Sequence, residues 1–476
     1  MDMSACSEQD DRSRTLALED AHRCWEQDVI PTLMSYARIP CLSPDFDTEW
    51  ETNGHLAHAA SLLRDWAASR QIGGLTAEVI DPAGRTPMLL IEVPATEKAT
   101  GTVLIYGHLD KQPALGEWRV GLGPFVPVRE GERLYGRGTV DDGYALFAAI
   151  TALELVDHAK IPRPRVLVLI EASEESGSPD LSAHLDDLGD RLSDLELIVC
   201  LDGGGPSYDR LWLTCSLRGS IAATVNVQVL TEGVHLGGAG AVVPTSFRLL
   251  RLLLDRLEDP RTGEILLPEL HAAAPASAAA VSASWHSKLV YPVVPGLHLD
   301  GTSDSDRLVR RAWSPALAVT GMDGMPSVRD GGGVLRPFTT AKISLRLPPT
   351  VNTSKATQAV EAALLSDPPS GAQVRVHFDT PTTGWVAPPF ESWIIDAIKR
   401  TSEELFGVSP GILGAGGSSP FLALLGERYP GVPLVATGAS GPGCNSHGTN
   451  ECLQLPMAEA VTVATAHLIE AAGARN

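Results

Sequence analysis

Residues 165–170 read RVLVLI, a run of apolar side chains with no polar alternation. Such a run suits a strand covered on both faces, which a parallel sheet sandwiched between helices provides. Three other runs share its character: TVLIYG at 102–107, LELIVCL at 195–201 and VPLVATG at 432–438. Between the first three lie helix-like stretches, including YALFAAITALELV at 144–156, which is apolar nearly all round and therefore suited to burial. Strand and helix in alternation predict right-handed βαβ units and a doubly wound α/β layer.

The texture changes near Arg218. SIAATVNVQVL (220–230) alternates as an antiparallel strand does, TSFRLLRLLLDRL (245–257) has a helical period, and AKISLRLP (341–348) alternates again. A helix-like QAVEAALL (358–365) and RVHFDT (375–380) follow. This β-α-β-α-β order predicts a small α+β domain inserted into the larger one, with Pro388 and Pro389 at the return point. The 476 residues agree with that division, since single cores stop growing at about 250–300 residues. The expected domains are 1–217 and 389–476, forming the catalytic domain, and 218–388, forming the insert. The Ala-rich segment 271–283 has no clear pattern, as either loop or weak helix.

Charge narrows the partners. With 37 basic and 58 acidic residues the net charge is -21, which repels phosphate backbones and anionic membrane surfaces, so neither nucleic acid nor a membrane is expected. The opening MDMSACSEQDDRSRT is polar and acidic, unlike a secretory signal, and a cytoplasmic protein is expected. Its seven cysteines, Cys6, Cys24, Cys41, Cys200, Cys215, Cys444 and Cys452, form no CxxC pair and read as reduced thiols.

Ligands of an open parallel sheet bind beyond the carboxyl ends of its strands. That is where this chain spends its ionisable residues: His108 and Asp110 after the first run, Glu174 and Glu175 after the second, Asp202 after the third, and His447 after the fourth. Asp141 and Asp142 precede the buried helix. Two histidines with several carboxylates and no thiolate suit Zn²⁺ or Mn²⁺. Two such ions about 3.5–4 Å apart would form a hydrolytic centre that activates a water and polarises a carbonyl. One of the paired glutamates can then bind metal while its neighbour takes the proton.

The stretches YGHLDKQP (106–113), LYGRGTVDDGYALF (134–147), EASEESGSPDL (171–181), CLDGG (200–204), SLRGS (216–220), EGVHLGG (232–238), GAGGSSP (414–420) and SHGTNE (446–451) resemble the M20 family of dinuclear metallopeptidases, near its carnosine-type dipeptidase and glutamate carboxypeptidase branches. The resemblance implies a zinc-peptidase-like catalytic domain carrying a ferredoxin-like α+β lid and dimerisation domain. By the same resemblance His108 and Asp202 hold one ion, Glu175 and His447 the other, and Asp141 bridges them, with a cis bond between Asp141 and Asp142. Asp110 orients His108, and Glu174 is the general base. Arg346 and the turn Gly416-Gly417-Ser418 hold the terminal carboxylate of a small peptide or N-acyl amino acid. His235 reaches into the other subunit of a homodimer to stabilise the oxyanion.

The chain departs from the family pattern at Leu236, at Gly331–Gly333, at Ala415, and at Gly443 and Thr449, all around the substrate and none among the metal and base residues. A specialised biosynthetic amide-cleaving or amide-forming enzyme, or a non-catalytic binding module, is the alternative. GAGGSSP lacks the lysine of a phosphate loop. His55 and His58 share a predicted helix, and Cys444 lies three residues before His447, but surface placement and loop packing are the simpler readings. The helix at 245–257 is expected to pack on its own sheet or at a dimer interface. Trp285, Trp313, Trp385 and Trp393 could serve either core or cleft.

Overall fold

The computed structural model describes residues 18–96, 99–276, 278, 289 and 291–475. Cys6, Trp285 and most of the Ala-rich stretch lie outside them. The large sheet has nine strands, and its centre is the four expected ones. Arg165–Glu171, Thr102–His108, Leu195–Cys200 and Leu434–Ala436 lie side by side in that order, all parallel. Val166, Val168 and Ile170 pack beneath the helices His55–Ala68, Ala145–His158 and Leu455–Gly473. Leu167 and Leu169 point the other way, toward Leu181–Leu188 and Pro420–Arg428. Both faces are dry, which is why no polar residue interrupts the run.

The flanks make the sheet mixed. Thr76–Ile80 and Met88–Val93 pair antiparallel with one another through a turn containing Pro82 and Gly84, and the second of them pairs antiparallel with Arg165–Glu171. On the far side Trp212–Leu217 runs antiparallel to Leu434–Ala436, and Trp385–Val386 joins its other edge. The link 81–87 is too short to hold a crossover helix, so Thr76–Ile80 and Met88–Val93 pair antiparallel.

The second sheet has four strands, all antiparallel, in the spatial order Ala316–Asp323, Phe338–Leu347, Gly219–Gln228, Gln373–Phe378. Helices Ser246–Leu254 and Thr353–Leu365 cover one face through Leu249, Leu250, Leu253, Ala356, Val360 and Leu364. Counting this sheet's strands and its two covering helices, the chain order is β-α-β-β-α-β, one strand more than expected. The extra strand, Ala316–Asp323, is an edge exposed along most of its length, so no burial shaped its sequence into alternation. Among the described residues no helix is long and apolar enough to cross a membrane. Trp313 and Trp385 are buried and Trp393 packs against the main core, so these three belong to packing.

Two loops that carry site residues are fastened to each other beneath the surface. Arg137 and Glu451 are both buried and joined as an ion pair, Nη1 to Oε2 at 2.5 Å. The other Glu451 oxygen accepts from the Gly138 backbone N–H at 2.9 Å, and Arg137 Nη2 donates to the carbonyls of His447 and Gly448 at 3.0 and 2.8 Å. Burial, with the Asp141 charge behind it, pushes Glu451 up to about 7, and Arg137 opposes that rise. Breaking a buried pair from one side leaves the partner uncompensated, at about 3–5 kcal/mol. Arg137→Met should lose stability of that order in urea denaturation, and Arg137→Met/Glu451→Leu should recover much of it; a single variant within about 1 kcal/mol of wild type contradicts the assignment.

Candidate metal centre and substrate cavity

His108 ends its strand fully inside the protein, and Asp141 lies opposite it in the segment just before the buried helix. His108 Nδ1 sits 3.1 Å from the Asp110 carbonyl oxygen and 3.4 Å from the Asp110 carboxylate. A carbonyl only accepts, so Nδ1 carries the proton and Nε2 turns its lone pair toward Asp141 Oδ1 at 3.2 Å. His447, at φ +63°, brings its Nε2 to 3.0 Å from the other Asp141 oxygen and 3.2 Å from Glu175 Oε2. One carboxylate thus stands between two imidazoles. The peptide bond between Asp141 and Asp142 is cis, as the resemblance implied.

The remaining carboxylates close around this pair. Ligand atoms of His108, Glu174 and Asp202 lie within 4.8 Å of one another, as do those of His108, Asp141 and Glu175. Asp110 does more than orient His108: its two carboxylate oxygens accept from the backbone N–H groups of Glu174 and Glu175 at 3.1 and 3.0 Å, which sets the paired glutamates in place. Burial first, then neighbouring negative charge, raises Glu175 well above the usual carboxylate range and lifts Asp202 to about 6. Burial likewise raises Glu174. Asp141 stays low because the two imidazole contacts outweigh its burial. Asp142, fully buried, accepts from the His108 backbone N–H, and its other oxygen has no protein partner.

The donors fit a divalent cation. Nitrogen and carboxylate oxygen at this spacing are the ligands of Zn²⁺ or Mn²⁺, and lone pairs that face each other across about 3 Å repel unless positive charge lies between them. The raised carboxylates express the same shortage of countercharge.

Several supporting residues escaped the sequence reading although they lie within the quoted motifs. Gln112 donates to Glu175 Oε2 at 2.7 Å. Buried Glu171 accepts from Tyr106 and, at 2.9 Å, from Ser178, bracing the glutamate loop from below. Buried Lys111 donates to the carbonyls of Tyr36 and Ile39 at 3.0 and 2.8 Å. Their partners are distant in sequence, so no spacing announced them. The loops after Leu195–Cys200 and Leu434–Ala436 meet backbone to backbone, with Gly205 N–H donating to Ser440 at 2.9 Å. A Cβ on Gly204 would fall 1.9 Å from the Ser440 oxygen, which explains the glycines of CLDGG.

Beside the metal residues opens a cavity of about 1050 Å³. Asp141, Glu174, Glu175, Asp202 and His447 line it together with Arg346, Arg311 and the turn 415–420. Arg346 Nη1 donates to Ser418 Oγ at 2.6 Å. His235 is exposed at the end of a two-residue strand and does not line this cavity. Cys444 is buried against Ser440 and Gly441, a loop-packing role. His55 and His58 share the helix His55–Ala68, but neither joins a metal-capable cluster among the described residues.

The chain is 27% identical over 77% of its length to a cysteinylglycine-S-conjugate dipeptidase from Corynebacterium striatum, of which it covers 80%. It is 26% identical over 77% of its length to the Beta-Ala-His dipeptidase of Homo sapiens, covering 73% of that protein. The solved structure of human carnosine dipeptidase 1 superposes with a TM-score of 0.81 at 22% identity, over 96% of this chain and 98% of that one. The sequence profile of peptidase family M20/M25/M40 matches residues 104–471. The chain therefore belongs to peptidase family M20/M25/M40, and it is a hydrolase of peptide or amide bonds that uses divalent metal.

Proposed function

We propose that the protein is a dinuclear dipeptidase that takes two Zn²⁺ ions, or Mn²⁺, per subunit and cleaves a small peptide beside its terminal carboxylate. The observation that carries this reading is the Asp141 carboxylate flanked at 3.2 and 3.0 Å by the Nε2 atoms of His108 and His447. Asp141 would be shared by both ions, with His108 and Asp202 completing one set and Glu175 and His447 the other. When bound, the ions would polarise the scissile carbonyl and acidify water. Glu174, half-buried within reach of both His108 and Asp202, takes a proton from the attacking water and returns it to the leaving amine. A small peptide or an N-acyl amino acid has the terminal carboxylate that Arg346 and Gly416-Gly417-Ser418 would hold, and the names of the relatives favour a dipeptide over an N-acyl amino acid.

Residues 218–388 act, on this reading, as a lid and dimerisation domain in a homodimer. Two features support it: the edge strand Ala316–Asp323 has no partner on its outer side among the described residues, and His235 is exposed away from its own cavity. In a dimer His235 would serve the partner's site as an oxyanion donor. Six free cysteines among the described residues accord with a cytoplasmic setting.

Metal-loaded protein should hydrolyse members of a dipeptide panel, read by mass spectrometry of the products. Glu174→Gln should keep the wild-type metal content while kcat falls at least about 10²-fold. Wild-type turnover in that variant would remove Glu174 from the mechanism. Inactive His235→Ala mixed with inactive Glu174→Gln should regain activity up to about a quarter of wild type, since one site in the hybrid dimer is intact. No recovery after subunit exchange would place His235 in its own subunit's site or outside catalysis.

A further inference from the structure

One wall of the cavity is unusually cationic for a pocket that has to hold one carboxylate. Three arginines from three different elements converge on the turn 415–420. Arg346 comes from the second strand of the small sheet, on the face away from the two helices. Arg218 follows Trp212–Leu217 and donates from Nε to the Gly416 carbonyl at 2.9 Å. Arg311 comes from the helix Asp304–Trp313 and packs so tightly that a Cβ on Gly416 would lie 2.9 Å from its Cγ and 3.5 Å from an Arg218 guanidinium nitrogen. Ion pairs among the described residues include none of the three. Ala415, next in this wall, brings no charge.

The tasks of the three differ. Arg218 is spent on the fold, bonding the carbonyls of Gly416 and Ser314. Burial holds it down to about 10, with the charges of Arg346 and Arg311 adding to the effect, so the guanidinium groups repel one another across the turn. Arg346 bonds Ser418. Arg311 lines the cavity beside Tyr291, and its buried Nε has no partner. Ser419, also in the wall, likewise buries a hydroxyl without a partner. Unpartnered buried donors next to repelling cations favour an anion held among them.

We propose that Arg311, in a cavity wall that also holds Ser419, forms a second anion subsite that receives a carboxylate side chain on the carboxy-terminal residue of the substrate, so that the preferred peptides end in glutamate or aspartate. This rests on the reading of Arg346 as the anchor for the terminal carboxylate. Arg346 and Arg311 then take one carboxylate each, and Arg311 discriminates against a neutral isostere because a side-chain amide offers one acceptor oxygen and an NH2 that only donates.

The test compares Ala-Glu with Ala-Gln, which differ in one side-chain charge. Both are measured as substrates of the metal-loaded protein and, by isothermal titration calorimetry, as ligands of its Glu174→Gln variant. Ala-Glu should be favoured about tenfold or more in kcat/KM and in Kd. Adding Arg311→Met should bring that ratio toward one, while Arg311→Lys should keep part of it. If Arg311→Met does not fold, Tyr291→Phe, which removes a hydroxyl that bonds Arg311, should still reduce the ratio. A wild-type ratio near one, or a ratio that survives loss of the guanidinium, overturns the subsite. The binding arm keeps the two claims apart: an Ala-Glu preference in Kd with no turnover of either peptide supports the subsite and contradicts the hydrolase reading.

Discussion

The structure depends on one electrostatic problem: too many carboxylates are gathered at the end of a dry sheet. Asp141, Glu174, Glu175 and Asp202 meet within a few ångströms, and burial removes the water that would otherwise screen them. Protonation of carboxylates or imidazoles would relieve part of the repulsion and part of the lone-pair clash, one positive charge at a time. Divalent cations relieve both at once, and the donor set is shaped for them.

The rest of the protein holds that arrangement against its own repulsion. The central parallel strands deliver His108, the glutamate loop and Asp202 from a core packed on both faces. Loops are looser than strands, so the site residues that ride on loops are tied by buried polar contacts. Asp110 fixes the glutamates through their backbone N–H groups, and Arg137 with Glu451 joins the Asp141 loop to the His447 loop. These contacts touch no substrate, yet each sets the distance between two residues of the proposed centre.

Much of this was legible in the sequence, and what was not has physical reasons. RVLVLI and its three counterparts could be read because a strand buried on both faces leaves no room for polar residues. Ionisable residues placed directly after such strands could be read because they are costly there without a purpose. Ala316–Asp323 could not, since an exposed edge imposes little on side-chain identity. Nor could the pairing of Arg137 with Glu451, residues far apart in the chain that only the fold brings together. Arg311 carries no sequence signal of its own, and only the fold sets it against Gly416 in the cavity wall.

Anomalous X-ray diffraction above and below the zinc edge, from crystals grown with Zn²⁺, tests the central claim most directly. The account predicts two peaks about 3.5–4 Å apart, one on each side of the Asp141 carboxylate, with His108 and Asp202 on the first and Glu175 and His447 on the second. A single peak, or metal found elsewhere with these residues unligated, would contradict it.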